Sequence, residues 1–356
     1  MAADRVTSKD VADRAGVSRT TVSLVLNNVL GAQISEATRQ RVLQAVQDLN
    51  YVPDAAAKAL ASRQSQIIGL ILIRTPQQIA TDAFLTQTLN GLIESIHQQG
   101  LRLLIDIVEP EHQRETYLHL VRAKHIDGII LSGPQRDDLA LQALQESSFP
   151  TVLLGQVPGN HFSFIDVDNR AAAHEAVAHL IKLGHTRIAC ITNAPLTYTA
   201  AIERLSGYRD AIESADLSFD PRLVRYGNFD TESGYQQMQD LLFSKVTFTA
   251  AFIASDTLAY GAKAAIRDSG KQVPHDIALV GFDDLPFSRF TDPPLTTVHV
   301  PAVELAHQAS QMLFKILRGE KLEQKQVLLD TQLVVRNSCG VKLFDPTPVQ
   351  SNKTLT

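Results

Sequence analysis

From Ile67 onward, short runs rich in Ile, Leu and Val alternate with longer stretches of helical spacing. "IIGLILI", "LRLLIDIV", "DGIILSG" and "PTVLLGQ" come first, and "RIACIT", "AAFIASD" and "IALVGFDD" continue the plan. Such runs read as buried parallel strands in βαβ units, because a parallel pair needs a crossover long enough to hold a helix. The repeat falls into two halves, residues 67–160 and 161–340, and predicts an α/β fold of two doubly wound parallel-sheet lobes.

In open α/β sheets ligands sit beyond the carboxyl ends of the strands. Ser132, Asn193, Ser255, Asp256, Asp283 and Asp284 all fall there. A cleft between two lobes would gather such groups. Each could instead cap the helix that follows, and capping is the better reading for Asp168 and Asp256 taken singly.

Residues 1–50 have a different character. Thr7 and Asp10 fit a capping box that opens a first helix, with Val11, Ala12 and Ala15 as its apolar stripe. Gly16 ends that helix, and Ser18 caps a second whose buried face is Val22, Val25 and Leu26. Arg19, Thr20, Ser23 and Leu24 fall on the opposite side. Two short helices on a tight turn suggest helix-turn-helix, though an αα-hairpin without a DNA role has the same outline. A third helix starts at cap Ser35 and runs to about Asn50, closing a three-helix head. The connection "NNVLGAQI" is longer than so compact a unit needs.

Residues 51–66 form a linker. Pro53 opens an alanine-rich run with one large apolar residue, Leu60. The run is too short to be a stable helix alone, which suits a segment that folds only when docked, although composition alone favours an inert spacer. The tail, residues 341–356, is expected to be flexible and lacks a leucine heptad that would support a coiled-coil tetramer.

Charge separates the parts. The chain is formally at −5, yet residues 1–64 carry a small excess of Lys and Arg, so nucleic acid would be met by the head. No run is long and apolar enough for a membrane span, and the N-terminus lacks a signal-peptide core. The two cysteines, Cys190 and Cys339, have no metal-ligand spacing. A bacterial cytoplasmic protein without cofactor or metal, nucleoid-associated when bound to DNA, is the expectation.

"VTSKDVADRAGVSRTTVSLVLNN", "ISEATRQRVLQAVQDLNYVPDAAAKAL", "VDNRAAAHEAVAHLIKLGHTRIACI", "ERLSGYRDAI", "ASDTLAYGAKAAI", "IALVGFDD" and "PPLTTVHVP" together resemble the LacI/GalR family of transcriptional repressors, over residues 5–339. The resemblance implies a periplasmic-binding-protein-like core behind a helix-turn-helix head. Arg19, Thr20 and Leu24 match its base-reading positions, although Leu24 stands where some members carry a polar or basic side chain. Arg5, Ser18, Thr21 and Ser23 would contact the DNA backbone. A hinge helix near residues 54–62 is implied, with Leu60 wedged into the minor groove beside Ala57 and Lys58.

The same resemblance assigns Arg204 and Asp283 to effector binding, with Phe84 as a stacking aromatic and Ser132, Tyr198 and Ser255 as further candidates. An Asp–Arg pair suits a hydroxyl-rich ligand, so the expected effector is a sugar, with a purine or nucleoside as alternative. The reading is a homodimeric repressor of carbohydrate-utilisation genes bound to double-stranded operator DNA.

Two rivals share the core. An enzyme is disfavoured, since no G-x-G-x-x-G, P-loop or G-x-S-x-G occurs at the expected places. A solute-binding protein would need a secretory signal and would not need the head.

Overall fold

The computed structural model describes residues 6–26, 32–52, 64–108, 116–117, 119–120, 125–159 and 161–340. It divides the chain into two compact units, Met1–Ser65 and Gln66–Thr356. Arg5, the hinge residues Ala57, Lys58 and Leu60, part of the long connection after Leu26, and the tail lie outside the described residues.

In the first unit α1 is Ser8–Ala15, α2 Arg19–Leu26 and α3 Glu36–Asp48. The capping box forms at both ends: Asp10 N donates to Thr7 Oγ1 at 3.4 Å, and Thr7 N donates to Asp10 Oδ2 at 2.7 Å. Gly16 closes α1 at φ 66°, a left-handed turn that any Cβ would strain. Ser18 receives Thr21 N, and Ser35 receives Thr38 N. Val11, Ala12, Ala15, Val22, Val25, Val42 and Ala45 make the shared core, with Leu26, Val46 and Leu49 packed at its margin.

The second unit holds two six-stranded sheets. Its first lobe contains β1 (Ile67–Leu72), α4 (Pro76–Thr81), α5 (Ala83–Gln98), β2 (Arg102–Ile107), β3 (Gly128–Ser132), α6 (Leu139–Ser147), β4 (Thr151–Leu154) and β5 (Ser163–Val167). The second contains α7 (Asn169–Lys182), β6 (Ile188–Thr192), α8 (Thr199–Ser214), β7 (Val224–Tyr226), α9 (Thr231–Phe243), β8 (Ala250–Ile253), α10 (Asp256–Asp268), β9 (Ala278–Asp283) and β10 (Thr296–His299). The chain then returns to the first lobe for α11 (Ala302–Leu317) and β11 (Gln326–Leu329), and crosses back for β12 (Gln332–Val334).

Strand order is β11-β5-β4-β3-β1-β2 in one sheet and β12-β10-β9-β8-β6-β7 in the other. Strand pairs are parallel except β10 with β12. Crossings after β5, β10 and β11 tie the lobes together, so the carboxyl ends of both sheets face a common cleft. The buried runs β1, β6, β8 and β9 are the continuous apolar stretches expected of strands covered by helices on both faces.

One close contact explains the "ERLSGY" spacing. A Cβ at Gly207 would fall on the Arg170 carbonyl oxygen of α7, so glycine lets α8 lie tightly against α7. Arg204, one turn earlier on the same face of α8, is thereby held into the cleft. Gly207→Ala should push these helices apart and destabilise the core by about 1–3 kcal/mol, read as a lower urea midpoint. A midpoint equal to wild type would show that the crossing has room.

Candidate functional site

On the head, Arg19, Thr20 and Ser23 stand on the outer side of α2, away from Val22 and Val25. Leu24 is half-buried at the edge of that side. The Ser18 hydroxyl lies 3.0 Å from Thr21 Oγ1 and accepts Thr21 N, so it caps α2 while staying exposed. A guanidinium and hydroxyls on the first turn of a short helix can meet base edges and phosphates together.

In the core unit, the strand ends surround one cavity. Phe84, Ser132, Tyr198, Arg204, Ser255 and Asp283 all line it. Its empty space, open mouth and solvent included, is about 930 Å³.

Arg204 is its most constrained member, at 7 % exposure. Nε donates to Asn169 Oδ1 at 2.8 Å, and Nη1 donates to Ala254 O at 2.6 Å. Nη1 also lies 3.4 Å from Asp283 Oδ1, and the guanidinium carbon sits 3.7 Å from the centre of the Phe282 ring. Asp283 occupies a left-handed backbone position at φ 108°, followed by Asp284 at φ 55°. Two successive non-glycine residues in that region are strained, and such strain persists only where surrounding contacts over-determine it.

Those contacts come from Asp256. It accepts from Leu285 N and from the Ser288 and Thr297 hydroxyls. The expectation that Asp256 caps a helix is corrected: Ser255 is the N-cap of α10, without a side-chain cap bond, and Asp256 holds the loop behind Asp283. Asp168, by contrast, does cap α7, through Ala171 N at 2.9 Å.

Burial pushes the Asp283 carboxyl up to about 8, with Asp256 and Asp82 adding to the rise and Arg204 pulling the other way. Burial likewise pushes Asp166 and Asp256 up to about 6. For Arg204 the same burial disfavours the charge, which Asp283 and Asp166 support.

Tyr198 precedes α8 and gives its hydroxyl to Ile73 O at 2.6 Å, so it offers the cavity its ring rather than its oxygen. Phe84 sits on the first turn of α5, half-buried. Ser132 ends β3, and the Ser255 hydroxyl favours the charged form of Asp283.

Sequence reasoning missed Arg74, Asp82, Asp166, Asn169 and Phe229, which line the same cavity. The strand-end rule that singled out Ser132 applies equally to Arg74 and Asp166, at the ends of β1 and β5. Asp82 and Phe229 carry no such signal, because loop geometry brings them in.

Residues 7–54 match the profile of bacterial regulatory proteins of the lacI family, and residues 177–339 match the periplasmic binding protein-like domain. The HTH-type transcriptional regulator CelR of Thermobifida fusca is 34 % identical, covering 94 % of this chain and 98 % of its own. The chain belongs to the LacI family. LacI-family membership makes it a DNA-binding transcription regulator and not an enzyme. Solved LacI-family structures align with it. The transcriptional regulator CelR-cellobiose complex has TM-score 0.72 and 33 % identity, covering 94 % of this chain and 100 % of its own. The lac repressor dimer bound to operator and the anti-inducer ONPF has TM-score 0.83 and 30 % identity, covering 94 % and 99 %. No helix among the described residues is long and apolar enough to cross a membrane.

The raised Asp283 carboxyl has a measurable consequence. Between the unfolded value of 3.8 and the folded value of about 8, the folded chain holds a proton that the unfolded chain has lost. This group's contribution to stability is therefore full at low pH and falls as pH rises through that window. Asp283→Asn should flatten the decline of Tm between about pH 5 and pH 8. An unchanged slope would mean that Asp283 is ionised throughout.

Proposed function

We propose that this LacI-family regulator is a homodimeric repressor whose heads read an operator and whose cavity binds a neutral sugar that changes operator affinity. The observation that carries the ligand class is the buried Arg204–Asp283 pair facing a cavity walled by Phe84, Tyr198 and Phe229. Fixed charge-assisted donors and acceptors suit hydroxyls, and aromatic faces suit the C–H face of a sugar ring. CelR, the relative solved with cellobiose, supports the same class.

Arg19 and Thr20 would touch base edges, Leu24 a thymine methyl, and Ser18, Thr21 and Ser23 phosphates. Arg5 would add a phosphate contact. Ala57 and Lys58 would follow the minor groove beside a wedging Leu60. Exposed apolar side chains on the second unit support a dimer: Leu104, Ile105 and Ile107 on edge strand β2, and Phe287 and Phe290 beyond β9. The ligand would switch the regulator by favouring one arrangement of the lobes by a few kcal/mol.

The test starts with an operator selected from random duplexes. Operator affinity is then measured by anisotropy with and without cellobiose, D-ribose, D-glucose, adenosine and guanine. A sugar should move operator affinity at least about tenfold. Response to a nucleoside or base alone would replace the sugar reading, and failure to select any duplex would end the operator reading. On the same operator, Arg19→Ala should cost about 1–3 kcal/mol and relax preference at one base pair. Leu24→Arg should change preference at a neighbouring base pair; an identical selected operator would leave Leu24 as filler.

A further inference from the structure

Arg74 follows Ile73, just beyond β1, and its side chain is only 9 % exposed. It lines the cavity from the first lobe. Its guanidinium carbon sits 3.6 Å from the centre of the Phe229 ring, and Phe229 packs edge-on to Tyr198 at 4.9 Å. Nε lies 3.5 Å from Asp82 Oδ2, while Asp82 Oδ1 caps α5 through Leu85 N. Yet Arg74 Nε and Nη1 have no hydrogen-bond partner among the described residues. Nor has Asn193 Oδ1, a buried acceptor in the wall of the same cavity, just after β6.

Buried donors and acceptors left unmatched are costly, and a ligand that meets them gains correspondingly. The chemistry of the mismatch selects the ligand. A hydroxyl both donates and accepts, so neighbouring hydroxyls can receive from Arg74 and give to Asn193. A carboxylate or phosphate can only receive, and would leave the Asn193 Oδ1 acceptor unmet. It would also enter a wall where Asp82 and Asp166 already offset the two arginines, Arg74 and Arg204. Asp82 already balances the Arg74 charge, so this guanidinium is not an anion site.

We propose that Arg74 and Asn193 are a hydroxyl-reading pair that selects neutral polyhydroxy ligands over their acidic counterparts. The pair also joins ligand to the seam between lobes. Arg74 belongs to the first lobe, whereas Phe229, Tyr198 and Asn193 belong to the second. Beside it Tyr198 Oη donates to Ile73 O, and Gln78 Nε2 donates to Asn228 Oδ1 at 2.8 Å. A ligand that occupies the free donors of Arg74 therefore acts where the lobes already touch. This inference rests on the sugar reading of the cavity.

Calorimetric titration of the full chain with cellobiose, D-glucose and D-ribose, and with cellobionate, D-gluconate and glucose 6-phosphate, tests it. One neutral sugar should bind wild type at least about tenfold more tightly than its acidic counterpart. Arg74→Met should weaken that sugar about 10- to 100-fold, and Arg74→Lys, which keeps the charge without the planar fork, at least about fivefold. Asn193→Ala should narrow the preference for neutral over acidic ligand, a ratio that a purely structural residue would not move. If Arg74→Met does not fold, the affinity of Arg74→Lys decides between the outcomes. Both Arg74 variants binding the sugar within about twofold of wild type would overturn the role of Arg74 and leave the sugar reading standing. Equal or tighter binding of the acidic counterpart would overturn the selectivity. Absence of binding by every neutral sugar would sink the sugar reading and this inference with it.

Discussion

A guanidinium taken out of water must find partners for its N–H groups, and the core unit is arranged around one that has. Arg204 reaches Asn169 at the start of α7, the Ala254 carbonyl after β8, Asp283 at the end of β9 and the ring of Phe282. Removing one of its acceptors would leave a buried N–H of a charged group unmet, which is far costlier than losing an exposed ion pair. The tight α7–α8 crossing at Gly207 and the left-handed backbone of Asp283 both serve this placement.

Three buried aspartates near the cleft do different work. Asp256 is met by a backbone N–H and two hydroxyls, which leaves it little capacity for anything but holding its loop. Asp283 turns one oxygen toward Arg204 and faces the cavity. Asp82 turns one oxygen to a helix cap and the other toward Arg74. The cavity thus carries an Arg–Asp pair from each lobe with aromatic rings between. The proposed ligand, whose polarity would lie in hydroxyls and not in net charge, suits that arrangement.

The head stands on other physics. Its core is small, so local devices matter more: a capping box, a left-handed glycine and two serine caps set the ends of three short helices. Valines and alanines are used where helices approach closely, leaving the outer side of α2 free for Arg19, Thr20 and Ser23.

Caps, turns and strands were legible in the chain because each depends on residues a few positions apart. "TSKD" before an apolar stripe, Gly16 before Ser18, and β-branched runs between helical stretches announce a helical head and two parallel-sheet lobes. By resemblance the chain also pointed to Arg204 and Asp283. What it could not announce was which strand ends meet. Arg74 and Asn193 lie more than a hundred residues apart, and Phe229 follows a short edge strand; only the crossings between lobes bring them to one cavity. The sequence by itself determined the periodicities and caps, which are local. The tertiary structure alone decided which buried donors and acceptors were left unmet, because satisfaction of a polar group depends on every neighbour that packs around it.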